Sequence, residues 1–388
     1  MIEWIECTIG DLCDTVSDTY RGNDENVILV NTSDVLEGKV LNHTQVPNKN
    51  LKGQFKKTFR KNDILFSEIR PANKRFAFID FEDTSNYIAS TKLMVLRHNE
   101  KVLPEYLFAI LKSNYILAEL QHLAETRSGT FPQITFSSEL APMKVNLPDK
   151  KTQKQIVSIL SSIEQKMDTN EIINNNLLEQ AKTLYKDWFF DFSPFSTDGS
   201  IPYDWRMGTV GDIIQLYDSK RVPLSGAKRD RMEKLYPYYG ATSLMDYVDN
   251  YLFNGIFLLL GEDGTVVDSL GFPILQYVYG KFWVNNHAHV ITGKEGFSVE
   301  ELFLFFSLTN INTIVTGAVQ QKVSQQNLKK VPAIIPTKEV LSAFDNIIQP
   351  IFAQIRTLRD ENLYLADLRD VLLPKLMSGE LDVSDIDF

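Results

Sequence analysis

Cysteine is nearly absent: Cys7 and Cys13 are the only two among 388 residues. Two thiols so close in sequence cannot staple a chain of this length, which excludes a disulfide-built extracellular scaffold. The cytoplasm is the expected compartment and the core the expected place for both side chains. Long apolar runs are missing as well. The best candidate, Ile256 to Leu260, is cut off by Gly261, Glu262 and Asp263, far short of the roughly 18 residues of a membrane span. The opening MIEWIECTIGD places acids among its apolar residues and has no basic stretch, so a secretory signal is not expected. An excess of positive charge is lacking too. Lys and Arg number 40 against 50 Asp and Glu, a net −10, which argues against tight unaided binding to nucleic acid.

Catalytic signatures are equally scarce. There is no G-x-x-x-x-G-K-[ST] loop, and Thr292-Gly293-Lys294-Glu295 lacks both the upstream glycine and the metal-binding hydroxyl. No Asn-Pro-Pro-aromatic motif, no Pro-Pro pair and no G-x-G-x-x-G turn occurs. A nuclease built on Asp149 with Glu164 and Lys166 fails because the last two fall inside a heptad helix rather than on a strand beside the Asp. His287 and His289 share one face of a strand, but no third ligand at a usual spacing completes a zinc site. Their expected place is a strand surface or a DNA-contacting edge. Gly261 to Thr265, GEDGT, reads as a tight turn between strands. Neither a metal site nor catalysis by this chain is expected.

What the chain does hold is a second copy of itself. Trp4 to Leu12, WIECTIGDL, returns as WRMGTVGDI at Trp205 to Ile213. Asn62 to Glu68 then resembles Asn254 to Glu262, Pro104 to Leu111 resembles Val299 to Leu308, Phe131 to Thr135 corresponds to Gln320 to Ser324, and Val145 to Pro148 corresponds to Ala333 to Pro336. Order is kept while the offset shrinks, as two copies with different loop lengths require. Each half mixes short β-branched and aromatic runs with helical stretches and ends in a long helix. Charge is segregated along it. Lys52 to Arg75 carries eight basic and two acidic residues, Lys220 to Lys234 six and two, whereas Asp345 to Phe388 carries four basic and nine acidic ones.

The long helices carry heptad seams. In the first half Leu160, Ile163, Met167, Asn170, Asn174, Leu177, Ala181, Leu184 and Trp188 alternate spacings of three and four; in the second, Phe344, Ile348, Ile351, Ile355, Leu358, Asn362, Leu365, Arg369, Leu372 and Leu376 do the same. Asn174 and Asn362 occupy equivalent places. A buried Asn costs stability and commonly fixes register or orientation, and the second globule, Trp205 to about Pro336, gives the chain ample room to return, so the two helices are expected to pair antiparallel. The fold expected is α/β: two repeated mixed α/β domains separated by two long antiparallel coiled-coil helices. The boundaries are 1–150 for the first domain, 151–191 for its helix, 192–204 for a linker rich in Pro, Gly, Ser and Asp, 205–337 for the second domain, 338–379 for its helix and 380–388 for an acidic tail.

This order of parts, with W-x-x-x-T-[IV]-G-D opening each half and P-K-L-M-S-G-E-L at Pro374 to Leu381, resembles the specificity subunits of type I restriction-modification systems. The resemblance covers nearly the whole chain. It implies that each globule is a target-recognition domain reading one half of a split sequence in double-stranded DNA, with the helices setting the unread spacer. It further implies two methyltransferase subunits that use S-adenosylmethionine to modify adenine N6, and two restriction and motor subunits that use ATP and Mg. Those cofactors belong to the partners. Candidates for DNA contact are Arg60, Lys61, Arg70, Lys74, Arg75, Arg127 and Gln133 in the first domain, and Lys220, Arg221, Lys228, Arg229, Arg231, Gln320, Gln321 and Lys322 in the second. Cations suit phosphates and guanine, and Gln suits adenine. Tyr238 and Tyr239 either support a loop, stack on a sugar or pack in the core. The rival reading is a duplicated coiled-coil interaction scaffold with no DNA role.

Overall fold

The computed structural model describes residues 4–49, 51, 53–126, 132–317 and 320–383. The chain divides into two compact units, one running through Asp168 and resuming at Glu361, the other spanning Thr169–Asp360. Each unit therefore contains one globule and part of both long helices, Lys150–Phe189 and Lys338–Ser378.

The two globules share one topology. In the first, Cys13–Val16 pairs antiparallel with Leu93–His98, which pairs with Ile64–Ser67, which pairs with Phe76–Phe78. In the second, Ile214–Leu216, Ala288–Gly293, Phe257–Gly261 and Leu275–Val278 follow in the same order and sense. A second four-stranded sheet in each is built around a parallel pair: Asn26–Val30 with Tyr87–Ser90 in the first globule, Tyr236–Tyr239 with Lys281–Val284 in the second. The central strands Ile64–Ser67 and Leu258 to Gly261 are buried throughout. That explains why they read as continuous apolar runs rather than alternating ones.

The repeated T-[IV]-G-D turn has a physical task. Asp11 accepts from both the Thr8 N–H and hydroxyl at 2.8 Å, and Asp212 accepts the same pair from Thr209 at 2.8 and 3.0 Å. This is a capping box, in which the acid three positions on satisfies donors that the turn leaves free. The glycine lets the turn press against a neighbouring segment: Gly10 N–H donates to the Ala141 carbonyl and Gly211 N–H to that of Lys329. A Cβ on Gly211 would meet the Lys329 carbonyl at 3.1 Å. The strands that lead into these turns pair alike, Ile5–Thr8 with Lys144–Leu147 and Arg206–Thr209 with Pro332–Ile335.

Each long helix covers about 60 Å at 1.5 Å per residue. Within the first unit, Ile156 and Leu160 share a core with Leu373 and Leu376, and Lys166 pairs with Glu361 at 3.3 Å. Within the second, Ala181, Tyr185 and Phe189 share a core with Phe344, Ile348 and Phe352, and the Tyr185 and Phe344 rings meet edge-on at 5.5 Å. Positions rise along one helix as they fall along the other, so the helices run antiparallel. None of the nineteen seam residues named from the heptad pattern is exposed, and Asn170 is fully buried among them. Both cysteines are free. Cys13 lies in the first core with its thiol pushed by burial up to about 12, and Cys7 packs partly buried against it.

In the second globule a polar network ties the helix Val299–Leu308 to the long helix. Glu300 accepts from the Tyr277 hydroxyl at 2.5 Å and from Arg356 at 3.1 Å, and Gln349 donates to its other oxygen at 3.1 Å. No described helix is long and apolar enough to cross a membrane.

Candidate nucleic-acid interface

The nominated cations separate by what they touch. In the first globule Lys61 pairs with Glu82 at 2.6 Å and Lys74 with Glu37 at 3.2 Å. Arg75 is turned inward as a clamp, donating to the Ser33 and Val35 carbonyls at 3.1 and 3.3 Å. Arg60 and Arg70 are exposed, with no ion pair among the described residues. Arg70 and Lys74 bracket the turn Pro71–Asn73, and both adopt left-handed backbone conformations. That conformation is uncommon outside Gly and Asn and persists only where surroundings impose it; here the Arg70 N–H donates to the Pro132 carbonyl. Gln133 bridges to Ile69 beside this turn. Arg127 and the rest of Arg127-Ser128-Gly129-Thr130 lie outside the described residues.

In the second globule the segment from Lys220 to Lys234 leads into the strand Tyr236–Tyr239. Lys220 stands over the Tyr217 ring at 5.2 Å, and Lys228 and Arg231 are exposed with no ion pair among the described residues. Arg229 faces inward. It donates to Asp246 at 2.9 Å and to the Leu224 carbonyl at 2.6 Å, and its guanidinium lies over Tyr238 at 5.0 Å. Tyr238 is a core residue whose hydroxyl accepts from the Leu224 N–H. Arg221, nominated for DNA, is also turned inward and bonds Glu262 at 2.7 Å and the Ala288 carbonyl at 2.6 Å. Across from it, Gln321–Lys322 pairs with Asp263–Gly264, so GEDGT is a short strand rather than only a turn. Gln320 is exposed at its end.

His289 differs most from its sequence reading. It is fully buried, not on a strand surface. Its Nδ1 lies 2.6 Å from an Asp218 oxygen and its Nε2 2.8 Å from the Val323 carbonyl. The same Asp218 oxygen accepts from Gln325 at 2.5 Å, and the other accepts from the Val290 N–H at 2.9 Å. Burial pushes the Asp218 carboxyl up, but the bond and charge of His289, the Val290 amide and nearby Arg221 outweigh it and hold the group below its usual range. Ligand-type atoms of Asp218, Glu262 and His289 come within 4.8 Å of one another. The cluster already contains its cation in Arg221, and both His289 nitrogens are engaged, so it is an ion-pair network rather than a metal centre. Sequence reasoning missed it because strand pairing alone unites these distant residues. The available signal was one polar residue inside an apolar strand.

His287, by contrast, is partly exposed and bonds Asp263 at 2.5 Å.

The parallel between the copies extends to this edge. Glu68 accepts at its carbonyl from the Ile134 N–H, and Glu262 accepts in the same way from that of Val323. Residues 1–180 and 202–357 match the family described as the type I restriction modification DNA specificity domain. The chain belongs to the type I restriction-modification specificity family. It is 30% identical over 98% of its length, and all of the relative's, to the "Type I restriction enzyme HindI specificity subunit" of Haemophilus influenzae. It is 26% identical to the "Type I restriction enzyme MjaIX specificity subunit" of Methanocaldococcus jannaschii, over 74% of this chain and 71% of that one. Its fold is like that of the "Type-I restriction-modification system S subunit from M. genitalium", with a TM-score of 0.51 at 14% identity, covering 97% of this chain and 96% of that one. As a specificity subunit it recognises DNA targets and performs no catalysis of its own.

Proposed function

We propose that this specificity subunit reads a split DNA target, one half with each globule, while the paired helices set the length of the unread spacer. The observation that carries this reading is the duplication of one topology together with duplicated long helices. Two modest readers joined by a stiff connection multiply their selectivity through effective concentration. The exposed cations Arg60, Arg70, Lys228 and Arg231 are the proposed phosphate contacts, with Gln133, Gln320 and Gln321 at the reading edges, and Arg127 is a further proposed base contact. The net charge of −10 fits a subunit that binds weakly alone and specifically within an assembly whose other members supply positive surface.

Two methyltransferase subunits, using S-adenosylmethionine, and two restriction and motor subunits, using ATP and Mg, complete the proposed cytoplasmic assembly. On the second helix Leu363 and Tyr364 are 62% and 67% exposed, an apolar surface suited to a protein partner. The test is methylation mapping in cells that carry this chain with its methyltransferase. The expected result is N6-methyladenine at one split motif, lost on deletion of this chain and altered in one half when residues 1–150 are exchanged. Methylation indifferent to both manipulations refutes the reading and leaves the scaffold.

A further inference from the structure

Two segments that flank the second globule's reading edge share one anchor. The segment from Lys220 to Lys234 is rooted at Arg221, whose guanidinium bonds Glu262 and whose backbone N–H donates to the Asp218 carbonyl. The stretch joining Thr316 to Lys322 is closed by reciprocal backbone bonds between those two residues. It is followed at once by Val323 and Gln325, which bond His289 and Asp218. Lys322 itself reaches Glu262 at 3.6 Å.

Every member of the cluster is satisfied only when both segments are in place. The Val323 oxygen and the Asp218 carboxylate are acceptors on opposite sides of one ring, so a proton lies in each bond. Withdrawing the first segment takes the guanidinium from Glu262, and withdrawing the second takes the Val323 acceptor from the buried His289 ring and the Gln325 donor from Asp218, so either loss leaves buried polar groups short of partners, which is costly in a dry interior. The first globule solves the same position differently. Strand register places Met94 opposite Phe66 where His289 stands opposite Leu260, and Met94 is simply buried in the apolar core. Packing alone therefore suffices to hold these strands, and the charged cluster has another task.

We propose that Asp218, Arg221, Glu262 and His289 form a positioning latch that sets the base preference of the second domain by fixing the roots of both segments at one point. This rests on the reading of the chain as a split-target specificity subunit. None of the four is a DNA-contacting residue; they act through Lys228, Arg231, Gln320 and Gln321.

The experiment is methylation mapping of the chain with its methyltransferase, comparing the unaltered protein with Arg221→Ala, Arg221→Lys and the double variant Asp218→Asn with His289→Met. The double variant replaces the charged pair by neutral groups, one of them the Met that the first globule uses, so that packing is kept. The expected result is a motif degenerate in one half only. Discrimination there falls roughly tenfold or more at one or more bases, the other half is unchanged, and Arg221→Lys recovers part of the loss. A motif unchanged in every variant would overturn the latch, as would equal loss at both halves, which marks a general structural defect. An unaltered chain that directs no split motif refutes the functional reading itself and is thereby distinguished from failure of the latch.

Discussion

Asn362 on the second long helix donates from its Nδ2 to the Met167 carbonyl on the first, at 3.1 Å. A mid-helix carbonyl is already engaged in its own helix, so Asn362 adds a second, cross-seam bond to it, close to the Lys166–Glu361 ion pair that also joins the two helices. An apolar seam packs almost as well after sliding by one heptad; a directed polar bond does not. Asn362→Leu is expected to leave melting temperature unchanged or raised while loosening the permitted spacer. A slide of one heptad is about 10 Å, or about three base pairs, so mapping methylated motifs for spacers about three base pairs longer or shorter checks this, and an unaltered spacer in the variant would assign register to the apolar residues alone.

Glu301 introduces a pH dependence. Burial pushes its carboxyl up to about 8, with Asp345 and Glu300 adding to the rise against the opposing Ser298 bonds, and its Oε1 has no hydrogen-bond partner among the described residues. A group raised in the folded state above its ordinary 4.5 contributes stability below that ordinary value and loses it as pH climbs toward 8. Glu301→Gln keeps the capping contact to Ser298 and removes the titration. The variant is expected to melt close to the unaltered chain at pH 5 and several degrees above it at pH 9, a difference on the order of 2 kcal/mol. Parallel melting curves across that range would show that the carboxyl is ionised without penalty.

Among the second domain's cations, direction separates two effects. Lys228→Ala and Arg231→Ala should weaken DNA binding by the assembled complex evenly across sequences and reduce its salt dependence, with melting unchanged. Arg229→Ala instead removes a partner from Asp246 and should lower stability by about 1–2 kcal/mol. Binding titrations at several salt concentrations, paired with melts, distinguish these, and a shared phenotype would contradict the assignment.

Gly379 ends the second long helix at φ +77°. A Cβ there would lie 2.6 Å from the Trp4 indole nitrogen. Gly379→Ala is expected to cost about 1–2 kcal/mol through both the left-handed backbone and the displaced indole. Trp4→Ala should abolish the additional penalty of the indole clash, measured as non-additivity in a double-mutant cycle.

Much of this architecture is written in local pattern. A Thr and an Asp three positions apart form the same cap at Thr8 and Thr209 regardless of the fold around them, and a three-four spacing produces one apolar helix face wherever it occurs. Duplication, helix length and the apolar helix faces are therefore determined by the sequence, since each follows from periodicity or from short-range hydrogen bonding, whereas the antiparallel sense of the pair is seen in which residues share a core. Which cations face outward is a different kind of property. Arg221 and Arg229 stand in the same basic stretch as Lys228 and Arg231, yet only strand register brings Glu262, Asp246 and the Ala288 carbonyl within reach of the first two. His289 became a buried ion-pair partner because pairing with Leu260 placed it inward and brought the distant Asp218 alongside. Charge partners separated by many residues are chosen by tertiary packing, because Coulomb and hydrogen-bond energies depend on distance in space and carry no trace in the order of the chain.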